Sequence, residues 1–284
     1  MNKQKVFIVA GPTASGKSGF ALDWAEKIQG EIVNADAFQV YQGLQVLTAR
    51  PTEDEMRGIP HHLYGYVDNY TQEDVRSWVE KAAKVIPTLK APIVVGGTGF
   101  YLSVLMNGIS PIPDISEEIR TKVRAMAPGE VLAKLTKGEI PCDIQRQRRA
   151  LEVLLETGHP IEYFQKLPKE TFLEADFQGV VLLPPKEQLY AQIEQRLIQM
   201  LQANIVDEVK NLMKTKPTGG VLKSIGVKEL IDFIEEKTDL ATAAERILLA
   251  TRHYAKRQVT WFRHQMPEGL KVIESPDLKE VITL

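Results

Sequence analysis

The sequence has one cysteine, Cys142, in 284 residues. A lone thiol excludes an internal disulfide framework and suits a reducing compartment. No apolar stretch approaches the roughly 20 residues that a membrane-crossing helix needs. The first residues run straight into a short apolar segment without a signal-type region, so a cytoplasmic location and no membrane partner are expected. Neither sign of charge dominates: 35 Lys and Arg against 37 Asp and Glu give a formal net charge of -2. No global basic field advertises nucleic acid, and any such site must be a local patch. There is no internal repeat and no low-complexity segment. What remains is an ordinary globular composition, 44% apolar and 25% charged. The length allows one domain with an insertion, or two domains.

The chain is organised around Gly11-Pro12-Thr13-Ala14-Ser15-Gly16-Lys17-Ser18. The apolar run Val6–Ala10 precedes it, and a helix-like segment follows. Strand, G-x-x-x-x-G-K-S loop and helix together make the phosphate-binding P-loop. Glycines let the backbone wrap an anion with its N–H groups pointing inward. The helix N-terminus adds partial positive charge, Lys17 adds a full charge, and the Ser18 hydroxyl can ligate Mg²⁺. The loop implies a phosphorylated ligand without saying which.

Glu31–Ala35 reads as a second strand, with Asp36 at its end. Strand C-termini carry the chemistry of open α/β sheets, so Asp36 is expected in the same crevice as the P-loop. A turn cap is an equally good reading of it. The adjacent His61 and His62 lack an accompanying acid or cysteine cluster, and a structural role is favoured over a metal. Glu73–Leu89 has helical periodicity. Ala91–Val95 is a third buried strand, emptying into Gly96-Gly97-Thr98-Gly99, where Thr98 suggests a second phosphate or substrate contact and close packing is the alternative. After Pro111-Ile112-Pro113 the strand–helix alternation stops. Residues 114–177 read as a helical insertion containing Gln145-Arg146-Gln147-Arg148-Arg149, which is either a solvated helix face or a phosphate contact. Gly179–Leu183 returns to the sheet. A long helical pattern follows from Gln188 to Lys214, broken near Asn204, and a last long helix spans Ala241–Phe262. Within Thr251–His264 basic residues, including Lys256 and Arg257, interleave with aromatics, a pattern that suits a phosphate backbone.

Together these segments resemble the tRNA dimethylallyltransferases. The resemblance rests on Gly11–Ser18, Asn34–Tyr41 with Thr48–Pro51, Val94–Tyr101, Gln145–Glu152, Lys186–Val209, Ile225–Glu229 and Thr251–Arg263, which span most of the chain. It implies an α/β fold: a P-loop NTPase-like parallel sheet flanked by helices, residues 1–113 plus 178–284, with the inserted helical domain at 114–177. It implies transfer of a dimethylallyl group from dimethylallyl diphosphate to the exocyclic amine of an adenosine next to the anticodon of tRNA, by a monomer using Mg²⁺. Gly11, Thr13, Ala14, Ser15, Gly16, Lys17 and Ser18 would hold the diphosphate with Lys223, and Ser18 the metal. Asp36 would be the general base, with Thr98 and Lys17 completing the catalytic set. Asp36, Ala37, Phe38, Gln39 and Thr98 would meet the target base. Arg120, Gln145, Arg146, Gln147, Arg148, Arg149, Lys256 and Arg257 would contact tRNA. Several positions depart from the family pattern: Ala37, Gln42, Gln45, Leu47, Gly65 and Val227. Three alternatives from the residues alone are an isopentenyltransferase acting on free adenine nucleotide, a small-molecule kinase using ATP at the same loop, and a non-catalytic RNA-binding protein.

Overall fold

The computed structural model describes residues 3–274. Six strands form one parallel sheet in the order β3-β2-β4-β1-β5-β6: β1 (Lys5–Ala10), β2 (Glu31–Asn34), β3 (His61–His62), β4 (Pro92–Gly96), β5 (Asp176–Leu182) and β6 (Leu270–Ile273). The central strands are continuous apolar runs because helices cover both faces of a parallel sheet. β1 lies between β4, in register Ile8 to Val94, and β5, in register Ile8 to Gly179. At Gly179 any Cβ would strike the backbone of Ile8, so the strand approach demands glycine there. Strand order reverses at β1, which opens a crevice at its carboxyl end. The P-loop, Asp36 and Thr98 follow the ends of β1, β2 and β4, and all three reach that edge.

Helix α1 (Lys17–Ile28) covers one face, burying Phe20, Ala21, Trp24 and Ala25 against Val9, Ile32, Ile93 and Val95. Helix α2 (Val75–Val85) is capped by Asp74, whose side chain accepts from Ser77 N–H at 2.9 Å. Its Trp78 is fully buried, stacks on Tyr101 at 4.6 Å and donates from Nε1 to the Asn34 carbonyl at 2.9 Å. Helix α3 (Gly99–Asn107) starts on the glycine loop after β4.

Residues 107–171 form a second compact unit, Asn107–Thr171, where 114–177 was expected. Its base is closed by an antiparallel bridge between Ile109 and Glu170, which draws residues before the Pro-x-Pro break into the unit. The residues from Phe172 onward belong to the first unit and lead into β5. The second unit holds α4 (Glu117–Ala125), α5 (Pro128–Lys134), α6 (Ile144–Thr157) and α7 (Ile161–Gln165) around Val123, Val131, Leu135 and Leu151.

After β5 come α8 (Lys186–Gln202), α9 (Ile205–Lys214), α10 (Val227–Ile234) and α11 (Leu240–Gln265). Asn204, at φ 60, sits in the left-handed region and separates α8 from α9, where the pattern predicts a break. Two strands are absent from the sequence reading. β3 is the His61–His62 pair itself, and β6 completes the far edge. Both are edge strands of two and four residues, too short to show a period.

Candidate active site

The P-loop holds its shape through left-handed residues. Ala14 at φ 61 and Gly16 at φ 83 turn the chain, and Ser15 N–H bonds to the Pro12 carbonyl at 3.2 Å. A Cβ at Gly11 would lie 2.6 Å from the Leu182 carbonyl oxygen, which is why only glycine leaves β1 here. Lys17 Nζ folds back onto the Pro12 carbonyl at 3.1 Å. Burial lowers its pKa from 10.5 to about 8, Asp36 pulls it back up and Arg196 pushes it down. A desolvated lysine with only a carbonyl to bond is poised for an anion.

Gly11, Thr13, Ala14, Ser15, Gly16, Lys17 and Ser18 are thus gathered as expected. All but Gly11 line one cavity of about 300 Å³ that also receives Asp36, Gln39, Thr48, Gln192 and Arg196. Ser18 and Arg196 also line a larger opening of about 550 Å³. A third, smaller cavity of about 80 Å³ joins Thr13 and Asp36 to an apolar wall that includes Leu47, Ile193, Leu197, Met200 and Ile247.

Asp36 both caps a turn and lines the cavity beside the P-loop. Its Oδ1 accepts from Phe38 N–H at 2.9 Å and Gln39 N–H at 3.4 Å, an Asx turn that fixes the carboxylate. Both bonds go to Oδ1. Below it, buried Asn34 accepts from Asp36 N–H at 3.0 Å and donates to the Leu63 carbonyl at 3.0 Å. Thr98 Oγ1 accepts from Ala37 N–H at 3.0 Å. Tyr254 hydrogen bonds to Thr98, and burial together with Asp36 drives its phenol pKa well above the usual range. Phe38 lies edge-on to Tyr254 at 6.2 Å.

Gln39 behaves as a strut. Its amide nitrogen donates to the Thr48 and Ala49 carbonyls, each at 3.0 Å. On the far side of that loop, Glu208 accepts from the backbone N–H of Gln45, Val46 and Leu47 at 2.7, 2.8 and 2.8 Å. At 45 and 47, where the family pattern differs, the side chains add to this anchor: Gln45 Nε2 donates to the Pro51 carbonyl at 3.3 Å and Leu47 is buried.

Other expected residues lie elsewhere. Lys223 donates to Gln72 at 2.8 Å and lines none of the three cavities, whereas its neighbour Ser224 lines the smallest. Along α6, Gln145 is exposed, Arg146 pairs with Asp143 at 3.2 Å and Gln147 donates to the Pro141 carbonyl at 2.8 Å. Arg148 donates to the Met126 carbonyl at 3.2 Å, and Arg149 meets Glu152 at 3.5 Å. Much of that run is engaged in holding its own unit together. Arg120 is half-buried on α4. Lys256 and Arg257 are exposed on α11, with Arg257 over the Tyr254 ring at 5.7 Å. The histidine rings bind within the sheet edge: His61 to the Ile59 carbonyl at 2.8 Å, His62 to Glu31 at 2.9 Å.

The IPP transferase family model matches residues 39–265, and an isopentenyl transferase model matches residues 4–73. The chain belongs to the IPP transferase family. A tRNA dimethylallyltransferase of Zymomonas mobilis is 39% identical, covering 98% of this chain and 94% of the relative. One of Azorhizobium caulinodans is 41% identical, covering 95% and 92%. Among solved structures, the tRNA isopentenylpyrophosphate transferase of Bacillus halodurans superposes with a TM-score of 0.72 at 27% identity, covering 99% of this chain and 94% of that one. A eukaryotic dimethylallyltransferase acting on tRNA reaches 0.81 at 27% identity, covering 99% and 76%.

The fold adds three residues to this site of an IPP transferase. Arg196 on α8 bonds Thr13 Oγ1 at 3.4 Å, and burial lowers its pKa against the pull of Asp36 and Glu55. Gln192, one turn earlier, has a buried Oε1 without a partner among the described residues. Gln258 on α11 bonds the P-loop backbone. A polar residue on the inward stripe of an amphipathic helix is the signal for each: Gln192 and Arg196 flank Ile193 and Leu197.

Proposed function

We propose that this IPP transferase is a tRNA dimethylallyltransferase, moving a dimethylallyl group from dimethylallyl diphosphate to the exocyclic amine of the adenosine 3′ to the anticodon. The observation that carries the reading is one cavity shared by a P-loop and a carboxylate: Lys17 and Arg196 beside Asp36. Two desolvated cations and a nest of N–H groups suit a diphosphate leaving group, whose charge grows as the C–O bond breaks. Asp36, held at Oδ1, takes the amine proton at Oδ2 as the new C–N bond forms. The apolar cavity of about 80 Å³ beside it suits a five-carbon chain. Phe38 and Tyr254 offer aromatic faces to a base turned out of its loop. The exposed Lys256 and Arg257 are the proposed tRNA contacts of the first unit, and Arg120 and the Gln145–Arg149 run those of the second.

The donor set also fits Mg²⁺. Ser18 stands in the first turn of α1 with a hydroxyl that makes no hydrogen bond among the described residues, and it lines the cavity beside Lys17. Ser18 would hold the ion, which when bound supplies further neutralisation of the diphosphate. We take the enzyme to act as a cytoplasmic monomer. Among the described residues no helix is long and apolar enough to cross a membrane.

The test offers unmodified tRNA and free AMP side by side, with labelled dimethylallyl diphosphate and Mg²⁺. Label in tRNA alone is expected. Label in AMP alone would replace this reading with that of a nucleotide prenyltransferase, and ATP turnover without prenyl transfer would replace it with that of a kinase.

A further inference from the structure

Gln258 sits on the inward stripe of α11 and is only 6% exposed. Both ends of its carboxamide are spent on backbone. Oε1 accepts from Thr13 N–H at 2.9 Å, and Nε2 donates to the Gly97 carbonyl at 2.8 Å. The first partner belongs to the P-loop. The second immediately precedes Thr98, whose Oγ1 accepts from Ala37 N–H beside Asp36. A continuous line of contacts therefore runs from the P-loop through Gln258 to the base. The amide orientation follows from its partners, since an N–H must meet oxygen and a carbonyl must meet nitrogen. Packing holds the arrangement close. A Cβ on Gly97 would collide with the Gln258 amide, and one on Gly99 with the ring of Trp261.

We propose that Gln258 is a positioning residue for prenyl transfer: its carboxamide sets the spacing between the P-loop, where the leaving group is bound, and the Thr98–Asp36 side, where the amine is received. The inference rests on the proposed prenyl transfer. In-line displacement needs donor carbon and amine nitrogen aligned at near-contact distance, and a misplacement of about 1 Å costs roughly 10²-fold in rate. One buried amide bonded to both loops controls that distance without touching either substrate.

Two variants of the full chain test this. Gln258→Leu keeps the apolar body and removes both bonds. Gln258→Glu is isosteric and titratable. Its carboxylate still accepts from Thr13 N–H but repels the Gly97 carbonyl, whereas its protonated form restores both bonds. For Gln258→Leu we expect kcat per folded molecule to fall by about 10²-fold. For Gln258→Glu we expect the ratio of its kcat to that of the native enzyme to rise steadily as pH falls. The charged groups of the site, Lys17, Asp36 and Arg196, are common to both proteins and cancel in that ratio. A purely structural glutamine would lower the melting temperature and leave this ratio flat. A flat ratio, or a Leu variant within about threefold of native kcat, overturns the proposal. If Gln258→Leu does not fold, the pH profile of Gln258→Glu decides alone. If the native protein transfers nothing, the prenyl-transfer reading has failed by itself, and calorimetric binding of dimethylallyl diphosphate then tests the strap. Binding at least about threefold weaker in a folded Gln258→Leu supports the tie to the P-loop, and equal binding overturns it.

Discussion

Replacing Lys17 with Met should stabilise the ligand-free protein and abolish its binding of diphosphate. The free enzyme holds this lysine at a pKa of about 8 against 10.5 in water, chiefly because its ammonium is stripped of solvent. At about 1.4 kcal/mol per tenfold change in proton affinity, that fall corresponds to about 3 kcal/mol against the charged form at neutral pH. Met has nearly the same length and no charge, so it keeps the packing and removes the penalty. The carbonyl of Pro12, which Lys17 contacts at 3.1 Å, loses its donor, a loss of about 1 kcal/mol. The net expectation is a variant more stable than native by about 2 kcal/mol.

Urea unfolding of both proteins without ligand at pH 7 measures this directly. The pH dependence gives a second check, and its sign is fixed. The folded pKa lies below the unfolded one, so between pH 8 and 10.5 the unfolded chain holds the extra proton. Stability of the native protein should therefore rise with pH across that window, and Lys17→Met should lack this rise. Dimethylallyl diphosphate should reverse the order by stabilising the native protein alone. A Met variant less stable than native in ligand-free buffer would refute the reasoning. Lys17 would then be a satisfied structural lysine.

Asp36→Asn keeps an oxygen to accept from Phe38 N–H; it should fold and bind donor normally yet lose at least 10²-fold in kcat, the usual scale for removing a general base. Near-normal turnover in a single-turnover assay would remove Asp36 from that role. Glu208→Ala frees three backbone N–H groups at Gln45, Val46 and Leu47 and should cost about 2 kcal/mol in urea unfolding, as expected for a charge-assisted cluster. Because Leu47 and Thr48 line the prenyl cavity, its KM for the donor should rise too. Lys256→Ala with Arg257→Ala should weaken tRNA binding in filter assays and reduce the slope of log affinity against log salt by about two; an unchanged slope would place the RNA backbone on another surface.

The P-loop was legible because its geometry is written in local residue types: two glycines, a lysine and a serine at fixed spacing between a strand and a helix. Asp36 and Thr98 were legible because they follow buried strands, and strand ends converge at one edge of a parallel sheet. Arg196 and Gln258 were not, because they reach the site from helices far along the chain. Each looks in sequence like a polar residue in a long amphipathic pattern, and only the packing of α8 and α11 shows where it points. The basic run of α6 was legible as charge but not as structure, for the converse reason. Charge is visible in a sequence, but its local partners, Asp143, Glu152 and the Met126 carbonyl, depend on how the helix docks. The same holds for Lys223, whose bond to Gln72 no sequence pattern shows.

On the proposed reading, helix α11 serves both substrates. Positions 247, 251, 254, 258 and 261 recur at three- and four-residue spacing, so they share a face. That face supplies Ile247, Thr251 and Tyr254 to the apolar cavity, Gln258 to both loops and Trp261 to Gly99. The exposed side carries Lys256, Arg257, Arg263 and His264, charges that a polyanion can use without burying them. On the proposed reading, one helix would meet RNA on one side and set the loop spacing on the other, which couples recognition to chemistry through backbone geometry. On that reading the Gln258 variants lower kcat, whereas the Lys256–Arg257 pair weakens tRNA binding, and a kinetic assay separates the two.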